Sequence, residues 1–122
     1  MLNSKKTLII GASENPERYA NKAFHSLNHH GHEVVMVGNK AGNIENNPIQ
    51  TGMPSFSDLD TITLYLNPKN QEAYYNYILS LKPRRIIFNP GTENDELELL
   101  ANEKGIETLE ACTLVLLSTG QY

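Results

Sequence analysis

Apolar positions along this chain alternate between two patterns: short continuous runs of strand length, and longer stretches that are apolar on one helical face. Thr7 to Ile10 is the first run and Val34 to Val37 the second; Thr61 to Leu66, Arg85 to Asn89 and the short Glu107 to Ala111 follow. Val34 to Val37 has no polar position, as expected of a parallel strand covered on both faces. Pro16 to His30 sets Ala20, Ala23, Phe24 and Leu27 on one helical face and Arg18, Lys22, His25 and His29 on the other, with Gly31 as C-cap. Gln71 to Leu81 offers Ala73, Tyr74, Tyr77, Ile78 and Leu81 to a core until Pro83 ends the element. Asp95 to Lys104 buries Leu97, Leu100 and Ala101 before Gly105, and Thr113 to Leu117 closes the pattern with a helical turn or two. Residues 39 to 60 break the rhythm with Asn, Gly and Pro, which predicts an irregular connection with a short helical turn near Phe56 to Leu59.

Five strands joined by right-handed crossovers predict an α/β domain: a three-layer, Rossmann-type, doubly wound parallel sheet of about five strands in the order 3-2-1-4-5. The 122 residues, 39% of them hydrophobic, predict one domain over 1–122 that buries its own core. The formal charge of −4 argues against a general nucleic-acid or membrane-surface binder, and no apolar run reaches membrane-spanning length. Cys112 is the sole cysteine, so no intramolecular disulfide is expected and a reducing, cytoplasmic setting fits.

The candidate chemistry begins where the first strand ends, at Gly11-Ala12-Ser13-Glu14-Asn15-Pro16. A strand, a tight turn and a helix N-terminus leave backbone N–H groups unpaired at the positive end of a helix dipole, which suits a phosphate or pyrophosphate. Pro16 is expected at the first helical position, with Ser13 or Asn15 capping the turn. The alternative is an ordinary strand-to-helix connection that binds nothing. In the expected strand order the sheet reverses direction between strands 1 and 4. The loops flanking that switch point, Gly11 to Pro16 and Asn89 to Asn94, then border the crevice in which such folds bind ligands.

The residues after the second strand narrow the ligand. An NAD site usually carries Asp or Glu there to bond the ribose hydroxyls, whereas this chain has Gly38-Asn39-Lys40. Lys40 favours an extra ribose phosphate, hence NADP or coenzyme A. The first loop has one glycine where the dinucleotide fingerprint has three, and no triphosphate-binding G-x-x-x-x-G-K-[ST] motif occurs, which argues against kinase and ATPase chemistry.

Four segments carry a resemblance: Gly11 to Pro16 with Arg18, Gly31-His32-Glu33-Val34, Asn89 to Asn94, and Cys112-Thr113-Leu114-Val115. Over nearly its whole length the chain resembles the stand-alone coenzyme A-binding domains, which are similar to the N-terminal Rossmann domain of the succinyl-CoA synthetase alpha subunit. The resemblance implies that Gly11, Ala12, Ser13, Asn15, Pro16 and Arg18 hold the pyrophosphate of coenzyme A. It further implies that Asn39 and Lys40 meet the adenosine and its 3′-phosphate. The pantetheine arm is then implied to run past Asn67, Pro68, Asn89, Pro90 and Gly91 toward Cys112. The chain departs from the family in having Val37-Gly38-Asn39-Lys40 where many relatives have Val-Asn-Pro. The phosphohistidine segment and second domain of the synthetases have no counterpart, so acyl-CoA ligase activity is not implied.

No catalytic or metal-binding residue is assigned. His25 and His29 stand four apart on one helical face, as two metal ligands or as part of a solvated polar face. Cys112 is either an activated thiol able to form a mixed disulfide with coenzyme A or a small packed side chain. Glu93 and Glu110 fit general acid or base roles as well as capping and surface roles, Ser13 has no evident histidine base, and Tyr74, Tyr75 and Tyr77 are expected to cover a core face. The expected function is binding of coenzyme A or an acyl-CoA by a non-catalytic or regulatory module. Alternatives are a small NADP-dependent oxidoreductase or redox sensor, and a docking module that has lost its ligand.

Overall fold

The structure, a computed structural model, describes residues 4–122. Its elements are β1 Thr7–Ile10, α1 Tyr19–His29, β2 Val34–Val37, β3 Gly42–Ile44, β4 Asn47–Gln50, β5 Thr61–Leu64, α2 Pro68–Gln71, a 3-10 turn Glu72–Tyr74, α3 Tyr75–Ser80, β6 Arg85–Phe88, α4 Asp95–Glu103, β7 Glu107–Glu110 and α5 Thr113–Ser118. They form one sheet in the order β3-β4-β2-β1-β5-β6-β7, parallel throughout except for the β3–β4 pair. The α/β, Rossmann-like class is as expected, while strand count and order differ.

Two corrections follow from one missed hairpin. Within residues 39–60, β3 and β4 pair antiparallel across Glu45 and Asn46, both at positive φ, +47° and +69°. Two left-handed residues in succession match the twist of a two-residue hairpin, and the Asn47 side-chain amide donates to the carbonyls of Ile44 and Glu45 to brace it. The strands are short, asparagine-rich and interrupted by Pro48, so propensity spoke against them. β4 then occupies the place beside β2 that the expected order assigned to Thr61 to Leu66. That segment pairs with β1 instead, so the switch point lies between β1 and β5. The expected turn near Phe56 to Leu59 is not helical, and Asp58 there sits at φ +59°.

Period-two alternation divides the fully buried β1 between two cores. Leu8 and Ile10 pack with Val37, Ile62, Leu64, Ile78, Ile86, Phe88 and Leu97 on one face. Ile9 packs with Phe24, Leu27, Met36, Ile49 and Leu117 on the other. Each such side chain contributes about 1.5–3 kcal/mol by leaving water. α1 buries Ala20, Ala23, Phe24 and Leu27 as its periodicity predicts, with Arg18, Lys22, His25 and His29 exposed. The Gln71 to Leu81 helix is replaced by three short pieces. Asn67 caps α2 by accepting from the Asn70 N–H at 2.9 Å, Pro68 takes the first position, and Ala73 is exposed rather than in the core.

Candidate functional site

The sheet's carboxyl edge opens into a cleft of about 720 Å³, bordered by the loops after β1, β2, β5 and β6. Two glycines let the loop after β1 approach the segments after β5 and β2. Gly11 has φ +97°, and a Cβ on it would lie 2.9 Å from the Tyr65 carbonyl carbon; a Cβ on Gly38 would lie 2.6 Å from the Ala12 carbonyl oxygen. The N–H groups of Gly11 and Ala12 both donate to the Val37 carbonyl, at 2.9 and 3.0 Å, and pin the loop to the end of β2.

The loop beyond is braced by its own polar side chains. Ser13 Oγ accepts from the Asn15 N–H, Asn15 Oδ1 accepts from the Glu17 N–H, and the Arg18 N–H donates to the Asn15 carbonyl, each at 3.0 Å. Pro16 therefore occupies the second position of a turn and not the first position of the helix, which starts at Tyr19. The correction has a local cause: Ser and Asn side chains offer the backbone bonds that compete with a longer helix. The buried Asn21 amide donates to the Ser13 carbonyl at 3.0 Å, and Glu14 Oε2 accepts from the Asn43 N–H at 2.8 Å, tying the loop to α1 and to the hairpin. Among the described residues, the N–H groups of Ser13, Glu14 and Tyr19 have no acceptor.

The opposite wall rests on buried amides. Asn89, 2% exposed, donates from Nδ2 to Thr63 Oγ1 at 2.6 Å and to the Leu64 carbonyl at 2.9 Å, and its Oδ1 accepts from the Thr113 N–H at 2.9 Å. Thr63 and Thr113 hydroxyls share a further bond of 2.8 Å. Gln71, fully buried, donates to the Leu66 and Thr92 carbonyls, both at 2.8 Å, and accepts from Asn94 Nδ2 at 2.9 Å. Every described buried side-chain donor or acceptor is satisfied. Tyr65 lies on the cleft floor next to this scaffold. Burial pushes its hydroxyl up to about 12, against an opposing pull from the Thr113 and Thr63 hydroxyls, so the phenol stays protonated at neutral pH.

Of the residues selected from the sequence, Gly11, Ala12, Ser13, Arg18, Asn39, Asn67, Pro90 and Gly91 line the cleft together. Asn15, Pro16, Lys40 and Pro68 are exposed beside it, and Asn89 lies beneath it with its side chain fully engaged. Cys112 is half-buried at the N-cap of α5, next to but not among the lining residues. The sequence reading did not select Glu17, Tyr19, Ala20, Gly38, Tyr65, Leu66, Asn70, Tyr74 and Thr92 as site residues, and these complete the lining. Tyr65 and Leu66 follow the strand beside β1, so the switch-point argument selects them once β5 stands there. Tyr77 is in the core as expected, whereas Tyr74 is half-buried and reaches both core and cleft.

His25 and His29 are exposed on the surface of α1. His25 lies 3.1 Å from Glu45 and His29 meets the His30 ring edge-on. No group of three or more His, Cys, Asp or Glu suited to a metal occurs among the described residues, and no helix there is long and apolar enough to cross a membrane.

Several solved structures are similar. A crystal structure of an uncharacterized protein is 52% identical, covering 99% of this chain and 100% of that one, with a TM-score of 0.97. A hypothetical protein from Pyrococcus horikoshii OT3 is 27% identical over 92% of this chain and 80% of its own, with a TM-score of 0.79. A conserved hypothetical protein from Pyrococcus furiosus is 26% identical over 91% and 97%, with a TM-score of 0.80. No curated protein matches the chain. A family model for a CoA binding domain matches residues 5–118, and the chain belongs to that CoA binding domain family.

Proposed function

We propose that the chain binds coenzyme A or an acyl-CoA in this cleft as a non-catalytic binding or regulatory module. The observation that carries the reading is the continuity of one cleft from the Ser13 to Arg18 loop to the walls at Leu66, Asn67, Pro90 and Gly91. A long ligand with an anionic end and a flexible amide-bearing arm matches that path. The residues fit the group by their chemistry. Free N–H groups at Ser13 and Glu14, with the Arg18 guanidinium, suit a diphosphate, while Asn39, Asn67 and Asn70 offer amides to the adenosine and to the arm's own amides. Lys40, exposed beside Asn39, would meet the 3′-phosphate.

Calorimetric titration of the reduced protein with coenzyme A, dephospho-coenzyme A, NADP and NAD at fixed salt tests this. Binding of coenzyme A, weakened about tenfold (about 1.4 kcal/mol) by loss of the 3′-phosphate, supports both the ligand and the role of Lys40. Binding of NADP without coenzyme A overturns the reading in favour of the oxidoreductase or redox sensor.

A further inference from the structure

We propose that Gln71 is a positioning residue that sets the width of the arm-binding half of the cleft and so governs how strongly the pantetheine part of the ligand is held. The inference rests on the coenzyme A reading above and extends it to a residue outside the cleft lining. The two walls of that half come from separate segments: Leu66 and Asn67 follow β5, and Pro90 to Thr92 follow β6. Between them the fully buried Gln71 amide spends both N–H groups on opposite walls, at 2.8 Å to the Leu66 carbonyl and 2.8 Å to the Thr92 carbonyl.

The bracket is itself oriented. Asn94 Nδ2 donates to Gln71 Oε1 at 2.9 Å and to the Tyr75 hydroxyl at 2.8 Å, while Asn94 Oδ1 accepts from the Leu97 N–H as the N-cap of α4. This fixes which end of the Gln71 amide faces the carbonyls. The two carbonyls are acceptors only, so a side chain between them must bring two donors. Of the side chains of this length and shape, the amide alone does so at neutral pH. The other half of the cleft, at Gly11 to Arg18 and Asn39, has no hydrogen bond to Gln71. A change at this bracket should therefore separate the two ends of the ligand.

Gln71→Glu keeps shape and removes both donors, placing a carboxylate against two carbonyl oxygens and parting the walls. We measure coenzyme A and ADP by calorimetry on the wild type, on Gln71→Glu and on Asn94→Asp, which keeps the α4 cap but loses the donor to Gln71. Thermal melts verify folding. The expected result is coenzyme A weakened tenfold or more in Gln71→Glu with ADP within twofold of wild type. A smaller loss of the same kind is expected in Asn94→Asp, and at pH 5 the introduced carboxyl regains one donor and part of the affinity for coenzyme A. Parallel weakening of both ligands, or unchanged coenzyme A binding in folded variants, overturns the inference while leaving the coenzyme A reading intact. Should Gln71→Glu not fold, the same comparison on Asn94→Asp decides. A wild type that binds no coenzyme A overturns the functional reading and the inference with it.

Discussion

Gly38 and Ala12 leave no space between them: a Cβ on Gly38 would lie 2.6 Å from the Ala12 carbonyl oxygen and 3.0 Å from the Ile49 Cγ2. Backbone on one side and a buried side chain on the other cannot both yield, so the end of β2 and the loop after β1 would have to separate. Gly38→Ala is expected to cost about 2 kcal/mol or more, read as a lower urea midpoint, together with weakened ligand binding. Gly91→Ala is the comparison, because Gly91 has φ +91° but nothing within 4 Å of an added Cβ. It should show only left-handed backbone strain, roughly 1–2 kcal/mol. Equal stability of Gly38→Ala and wild type would show that the loops are not held at this distance.

Asn89 joins β5, the loop after β6 and the start of α5 through one side chain. Asn89→Leu fills a similar volume but strands the Thr113 N–H and the Leu64 carbonyl in the interior. A stranded buried group costs about 1–3 kcal/mol, so chemical denaturation should show a loss of at least about 2 kcal/mol. Retained stability would mean that water or a shifted α5 restores those bonds.

His32 is expected to make the protein less stable in mild acid. Burial lowers its proton affinity below the ordinary 6.5, and Lys5, His30 and Arg85 lower it further against a weaker pull from Asp60. Geometry agrees, because His32 Nδ1 accepts from the Lys5 N–H at 2.9 Å and cannot do so when protonated. The unfolded chain takes up its proton as pH falls through about 6.5 while the folded chain does not, so stability is full above that pH and declines below it. Thermal melts from pH 8 to 5 should show this slope, shallower in His32→Gln; an identical slope in that variant would remove His32 as its source.

At the alkaline end the sign reverses. Burial raises both Tyr65 and Tyr77 from the ordinary 10.0 to about 12, and the Tyr77 hydroxyl donates to the Pro54 carbonyl at 2.6 Å. Above pH 10 the unfolded chain releases these protons and the folded chain retains them, so stability falls between about pH 10 and 12. Tyr75 and Tyr122 are also raised by burial, so absorbance at the phenolate band should show four of the six tyrosines titrating late. Tyr77→Phe is expected to flatten the decline, and a full early titration of all six would contradict the burial argument.

Periodicity carried most of the scaffold. Leu8, Ile9 and Ile10 announce a strand buried on both faces and Phe24 and Leu27 a helix against it, because spacing along one segment records which sides leave water. Turn chemistry likewise marked Gly11 and the Asn89 to Asn94 loop. The hairpin at 42 to 50 escaped because its stability comes from pairing with β2, seating Ile44 and Ile49 in the core, and not from the local preferences of Asn43, Glu45 or Pro48.

Misplacing that hairpin also hid Tyr65 and Leu66. With β4 beside β2, the segment leading to Tyr65 and Leu66 stands next to β1, and its loop becomes a wall of the cleft. Gln71 and Asn89 show the same division: as letters they are a helix residue and a turn residue, yet each bonds to carbonyls or hydroxyls 5 to 26 positions away. The buried strands, α1 and the turn after β1 were legible along the chain because neighbours in sequence decide them. Strand order, the place of Tyr65 and Leu66 in the cleft and the partners of its buried amides belong to the fold, because contacts between residues distant in sequence decide those.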